Sequence, residues 1–228
     1  MAYGPSVYHT FADNGIYSYR VTVCDRANNC TIADPNLTVD NIAPAVDAGP
    51  DKTSLWGLPV AFHANGSDAG AVDNGSLLYT WDFGDPNSLV GAVGQDVSHA
   101  YSMPGTYNAT VTAYDKDGGT TSDTVQVTVP KRATTLVYTG PVQSLPNKRV
   151  ALTATLTDSL GLPVAGATVT FTVGSQTVSG VTNGSGIATA SLALNQKNGA
   201  YPLNATFAGD AKYLGSSAVA GTFKIGNK

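Results

Sequence analysis

The chain has 228 residues, with 12 Lys and Arg against 16 Asp and Glu, a formal net charge of −4 and no basic run. That balance excludes the electrostatic footprint of a nucleic-acid binder. No apolar stretch approaches the length of a membrane span, so no span is expected in this segment. Thr, Val, Ala, Ser, Asn and Gly dominate while Glu, Lys and Met are scarce, which favours strands joined by Gly/Asn/Asp turns.

Met1-Ala2 reads as an expression start and is set aside. From Val7 to Val39 the chain carries a segment that returns, without a gap, from Val97 to Val129, ninety positions later. His9 falls on His99, Gly15 on Gly105, Tyr17 on Tyr107, Asp25 on Asp115 and Val39 on Val129. A fixed internal period marks a tandem array. A position that recurs in such an array is expected to hold the fold. The second copy is preceded by Ile42–Asp96, which has no counterpart before Val7, so the first copy reads as part of a unit and the chain as an excerpt of a longer protein.

In the first copy Tyr17, Tyr19, Val21 and Val23 alternate with Ser18, Arg20, Thr22 and Cys24. Period two is the strand signature. Its apolar face needs a facing sheet, so residues 3–40 are expected to be covered by another chain or to adjoin upstream chain. Cys24 and Cys30 flank the polar turn 25–29 and can oppose one another across a hairpin, within disulfide range. Free thiols or a metal pair are the alternatives, and other metal ligands of the right type are lacking nearby. A disulfide implies an oxidising, extracellular or cell-surface setting. Asn29, Asn36, Asn65, Asn74, Asn108, Asn183 and Asn204 each open an Asn-x-Ser/Thr triplet; chance in a chain this rich in those residues is the expected origin, and glycosylation of an exported protein is the alternative.

The middle stretch, 41–130, opens on the extended entry Asn41-Ile42-Ala43-Pro44. Strands are predicted at Leu58–Ala64, Leu77–Phe83, Asp96–Tyr101, Thr106–Tyr114 and Thr121–Val129. Tyr79, Trp81 and Phe83 share one face, with Trp81 as core plug. Tyr107, behind Pro104-Gly105, sits where a tyrosine hydroxyl bonds backbone at a sheet crossover. Tyr17 repeats the setting, and His9 and His99, two residues before an aromatic, are expected to pack at strand ends.

Trp81-Asp82-Phe83-Gly84-Asp85, His99-Ala100-Tyr101, Pro104-Gly105-Thr106-Tyr107 and Asp115-Lys116-Asp117-Gly118-Gly119 together resemble the PKD domain. The resemblance implies an immunoglobulin-like β-sandwich of the kind found in tandem on secreted and surface proteins. The linker from Asp40 to Asp51 and the paired cysteines also resemble features of long bacterial arrays. Pro86 stands where that family usually has Gly, which should alter one turn and not the fold.

After the junction Lys131-Arg132-Ala133 the pattern changes. Val150, Leu152, Ala154 and Leu156 alternate with polar or small residues, then Val169, Phe171 and Val173, then Ile187–Leu194, Tyr201–Phe207 and Ser217–Ile225. Gly161–Phe171 and Ala208–Ser217 resemble a bacterial Ig-like repeat of the invasin and adhesin-stalk kind. The predicted organisation is therefore all-β, in tandem sandwiches: 1–40, the end of a PKD-like domain; 41–130, a complete one; 131–228, a bacterial Ig-like domain.

Little in the sequence points to catalysis. His63 has no nucleophile signature around it, and no phosphate loop or His pair appears. Carboxylates are the candidate ligands. Asp40, Asp47 and Asp51 lie at the joint between units and Asp115 and Asp117 in the last hairpin, where calcium is the candidate cofactor; turn carboxylates that bond their own backbone are the alternative. Asp82 and Asp85 are expected to bond their own turn. Trp56, in a turn before a strand, is the candidate contact for a sugar ring or a partner; packing under the neighbouring unit is the alternative. No enzyme activity is expected. The predicted role is structural: extracellular spacer modules of an adhesin stalk, surface layer or filament, contacting neighbouring domains or further copies. The alternative is an accessory module of a secreted hydrolase that binds carbohydrate or another polymer.

Overall fold

A computed structural model describes residues 6–226 of the chain; Met1 and Ala2, read above as an expression start, lie outside them. Among the described residues the chain is all-β apart from one 3-10 turn at Asp73–Gly75, and it divides into two compact units, Met1–Thr128 and Val129–Lys228.

The centre of the first unit is a sandwich. Its larger sheet orders Ala92–Val93, Leu78–Asp82, Gly105–Tyr114, Thr120–Val129 and Lys52–Thr53. Its other layer contains Val60–His63 paired with Asp96–His99 and Ala45–Asp47 paired with Asn65–Ser67. Alternation builds the core. Along Gly105–Tyr114, Tyr107, Ala109, Val111 and Ala113 point inward, while Thr110 and Thr112 bond Thr124 and Ser122 on the outside. Trp81 is in register with Val111, packs on Phe62 at 5.2 Å between ring centroids, and donates its indole N–H to Gly94 O. Gly84 adopts φ +61°, and a Cβ there would lie 2.4 Å from Asn108 O, so the turn after Phe83 admits only glycine.

The first copy, residues 7–39, forms two short ladders: Gly15–Ser18 with Asn36–Val39, and Val21–Cys24 with Cys30–Ala33. Cys24 and Cys30 are direct register partners and are joined by a disulfide. The matching positions of the two copies differ in burial. Tyr19, Val21, Val23 and Leu37 are 49%, 43%, 66% and 43% exposed, whereas Ala109, Val111, Ala113 and Val127, ninety positions on, are 0% exposed. The second copy is covered by strands from 42–96; within the described residues the first copy has no such layer.

The second unit is a sandwich of a three-stranded sheet, Thr134–Tyr138, Arg149–Asp158 and Ile187–Ala193, and a five-stranded sheet. The latter orders Gln143–Ser144, Leu214–Ile225, Gly199–Gly209, Thr168–Val173 and Gln176–Val181. Leu152, Leu156, Val169, Phe171, Leu203 and Phe223 fill the space between them.

The short strands at Ala45–Asp47, Lys52–Thr53, Asn65–Ser67, Ala92–Val93 and Gln143–Ser144, and the strands Thr134–Tyr138 and Gln176–Val181, were not predicted from the sequence. The last strand starts at Leu214, three residues before the predicted Ser217.

Candidate functional site: an acidic cluster around Lys116

Several side chains able to do chemistry close turns, and the same devices recur. Tyr17 donates its hydroxyl to Asp13 O at 2.9 Å and Tyr107 donates to Met103 O at 2.7 Å, each four residues back. Tyr201 does the same to Lys197 O at 2.8 Å in the second unit. Its Gly-x-Tyr signal, Gly199-Ala200-Tyr201, matches Gly105-Thr106-Tyr107 and went unread in the sequence. Aspartates repeat as well. Asp25, Asp115 and Asp158 each accept, on Oδ1, backbone amides two and four residues ahead. A carboxylate used this way closes its own loop.

Of the five carboxylates predicted as metal ligands, Asp47 and Asp115 close their own turns and Asp51 bonds a distant strand. Asp47 accepts from Gly49 N, Asp51 from Gln126 N, and Asp115 from Asn41 Nδ2 as well as from its own turn. Asp40 lines a small cavity. Asp82 accepts from Gly84 N and Asp85 from Asn87 N.

Asp117 alone of the five predicted ligands enters an acidic group. With Asp13 and Asp73 it forms the one set of three metal-capable side chains found among the described residues, with ligand oxygens all within 4.8 Å of one another. Asp13 comes from the turn before Gly15–Ser18, Asp73 from the 3-10 turn, and Asp117 from the hairpin between Gly105–Tyr114 and Thr120–Val129. The cluster adjoins a cavity of about 110 Å³ bordered by Phe11, Asn41, Ile42 and Asp68. Lys116 stands in its middle: its ammonium is 2.9 Å from Asp13 Oδ1, 3.3 Å from Asp73 Oδ1, and bonded to Asp117. Bonding to Lys116 holds the Asp13 carboxyl below the usual range. Burial pushes the Asp73 carboxyl up, against the opposing pull of Lys116. Asp117 and Asp13 in turn raise the Lys116 ammonium.

The remaining predicted residues lie apart. His99 is half-buried beside the core, stacked on Phe83 at 4.4 Å with Nε2 3.0 Å from Asp85 Oδ2. His9 is exposed, touching Phe11 edge-on, because the layer that covers His99 has no equivalent over the first copy. Tyr17 is half-buried for the same reason. His63 pairs with Asp96 on the surface. Trp56 is half-buried in the turn before Val60–His63. Arg132, read in the sequence only as part of a junction, is buried and donates to Asp158 Oδ2 at 2.8 Å.

Comparison with known proteins gives the following. Residues 41–129 match the family model of the PKD domain. Human Polycystin-1 is 32% identical over 104 residues, which cover 45% of this chain; the chain spans about 2% of the length of that relative. The crystal structure of the PKD1 domain of Vibrio anguillarum Epp is similar at 26% identity with a TM-score of 0.32, covering 40% of this chain and 98% of that one. The tetra-tandem repeat in the extending region of a large adhesion protein is similar at 15% identity with a TM-score of 0.44, covering 90% of this chain and 55% of that one.

Proposed function

We propose that the chain is a run of non-catalytic extracellular modules that space or display other parts of a large surface or secreted protein, as in an adhesin stalk, surface layer or filament. In this reading residues 1–40 are the end of a PKD-like domain, 41–130 a complete one and 131–228 a bacterial Ig-like domain. The observation that carries it is the reuse of potential chemical groups as fold devices. The Tyr corners at 17, 107 and 201 and the Asp turns at 25, 115 and 158 do the same structural work in successive modules. A side chain already bonded to its own backbone is not free to serve a substrate. The match of 41–129 to the PKD domain supports the reading, and the Cys24–Cys30 bridge supports an oxidising setting.

The uncovered face of the first copy supports an array, since a neighbouring domain or a further copy would give it the layer that residues 42–96 give the second. Single-molecule pulling of the chain tests the spacer role. Cooperative unfolding events that recover on relaxation are expected; a chain that extends without resistance overturns it. Binding to a polysaccharide array that disappears in Trp56→Ala would favour the accessory-module reading instead.

A further inference from the structure

The acidic cluster has the outline of a cation site. Asp73 is 1% exposed, and its Oδ1 lies among the other carboxylate oxygens, 3.3 Å from the Lys116 ammonium. A buried anionic oxygen in that position requires a positive charge. Asn14 adds to the set: with its amide nitrogen turned inward it donates to Asp13 at 2.7 Å and to Asp117 at 2.6 Å.

The residues present do not fit a bound calcium ion, however. Calcium draws six to eight oxygens to about 2.3–2.6 Å and tolerates no ammonium among them. Lys116 Nζ already lies 2.9 Å from Asp13 Oδ1 and 3.3 Å from Asp73 Oδ1, and it bonds Asp117. An ion placed among those oxygens would stand against a full positive charge.

We propose that the Lys116 ammonium is the built-in cation of this cluster, tying the turn at Asp13 to Asp73 and Asp117 without a metal, and that removing it converts the same carboxylates into a divalent-cation site. The contact between the first copy and the sandwich that follows it is then indifferent to calcium. It responds instead to ionic strength, because the Lys116 side chain is 35% exposed and its pairs are open to screening.

The test is calorimetric titration of the whole chain with calcium chloride, alongside thermal unfolding with and without the ion. The natural chain is expected to show no binding in the millimolar range and no calcium-dependent rise in melting temperature. Lys116→Met is expected to bind one calcium at least about tenfold more tightly and to gain thermal stability with it, since three carboxylates lose the ammonium paired with all of them. Lys116→Arg should stay silent, and adding Asp117→Asn to Lys116→Met should abolish the new site. Calcium binding by the natural chain as tight as by Lys116→Met overturns the proposal, and so does a folded Lys116→Met that binds none. If Lys116→Met does not fold, nitrogen-15 spectra of the natural chain decide: a slowly exchanging lysine ammonium lost in Lys116→Arg is expected, and its absence overturns the assignment.

Discussion

Arg132 and Asp158 form a buried ion pair at 2.8 Å, with side chains 6% and 1% exposed, inside the second unit. Asp158 also accepts the amides of Leu160 and Leu162, closing the turn after Arg149–Asp158, while the Arg132 backbone bonds Lys212 and Leu214. The pair thus ties the entry of the unit to two of its turns. Removing one partner takes a buried counter-charge from the other. Asp158→Ala is expected to destabilise the second unit by about 3–5 kcal/mol. A variant that replaces both residues with apolar ones of similar volume should recover much of that loss. Urea unfolding followed by a probe confined to residues 129–228 separates the outcomes, since the two units need not unfold together.

The three tyrosine corners give a matched series. Each hydroxyl donates to a carbonyl four residues back, and each phenol ring fills the space beside its own glycine at 15, 105 or 199. Tyr107→Phe keeps the ring and loses the bond, leaving Met103 O to find water in a part-buried site. A loss of about 1 kcal/mol is expected there. Tyr17→Phe should cost less, because its surroundings are already open to solvent and water replaces the donor. Equal losses at 17 and 107 in denaturant titrations would refute the assignment of different environments.

These elements also show what was legible in advance. Trp81, Tyr79 and Phe83 announced their strand because period-two alternation of large residues has few other meanings, and all three are buried. The two-residue edge strands at 52–53, 92–93 and 143–144 are too short to carry a period, and their pairing is decided by neighbours far along the chain. Gln176–Val181 is a sheet edge of mixed exposure, so it lacks an apolar stripe. The cluster at Lys116 was invisible for a related reason. Asp13, Asp73 and Asp117 lie far apart in sequence, and only the fold brings their oxygens within 4.8 Å. Asp40, Asp47 and Asp51 looked more promising because they are close together in sequence, yet Asp47 and Asp51 bond different backbone amides.

Acid should weaken both units. Asp158 is raised by burial, but Arg132 and the amides of Leu162 and Leu160 outweigh this and leave it below the ordinary value. Asp115 is lowered first by Asn41 and Asp13 first by Lys116. A carboxyl depressed in the folded state contributes stability that is present above its unfolded pKa and is lost as pH falls through the folded one. Stability is therefore expected to be flat near neutrality and to fall from about pH 4 downward. Asp73 runs the other way: raised by burial, it favours the folded state on protonation and blunts the fall in the first unit. Asp158→Asn should remove much of the acid sensitivity of the second unit, which melting curves from pH 7 to pH 2 can show.

The disulfide closes a short loop, with a sequence separation of 6 between Cys24 and Cys30. Chain entropy assigns such a loop about 2 kcal/mol. The hairpin it closes has little else, since Val21–Cys24 and Cys30–Ala33 are exposed along their whole length. Reduction, or a Cys24→Ser/Cys30→Ser pair, is expected to release amide protection across 21–33 while leaving the Trp81 core intact. Loss of Trp81 fluorescence burial on reduction would show instead that the hairpin supports the sandwich.

The last expectation concerns the open face itself. Tyr19, Val21, Val23 and Leu37 are exposed where their counterparts at 109, 111, 113 and 127 are sealed. An apolar strand face with no layer over it is a site of association. If a neighbouring domain or a further copy covers this face, amides of 16–24 should exchange slowly only when that cover is present. Val21→Lys with Val23→Glu should then abolish the association without disturbing Val111 or Ala113, because the two copies do not share a core. A monodisperse monomer by sedimentation, with fast exchange across 16–24 and no change on adding flanking sequence, would show that nothing seats there. In that case the first copy would be a solvated hairpin pair held by its disulfide and by Tyr17, and the array reading would lose its main support.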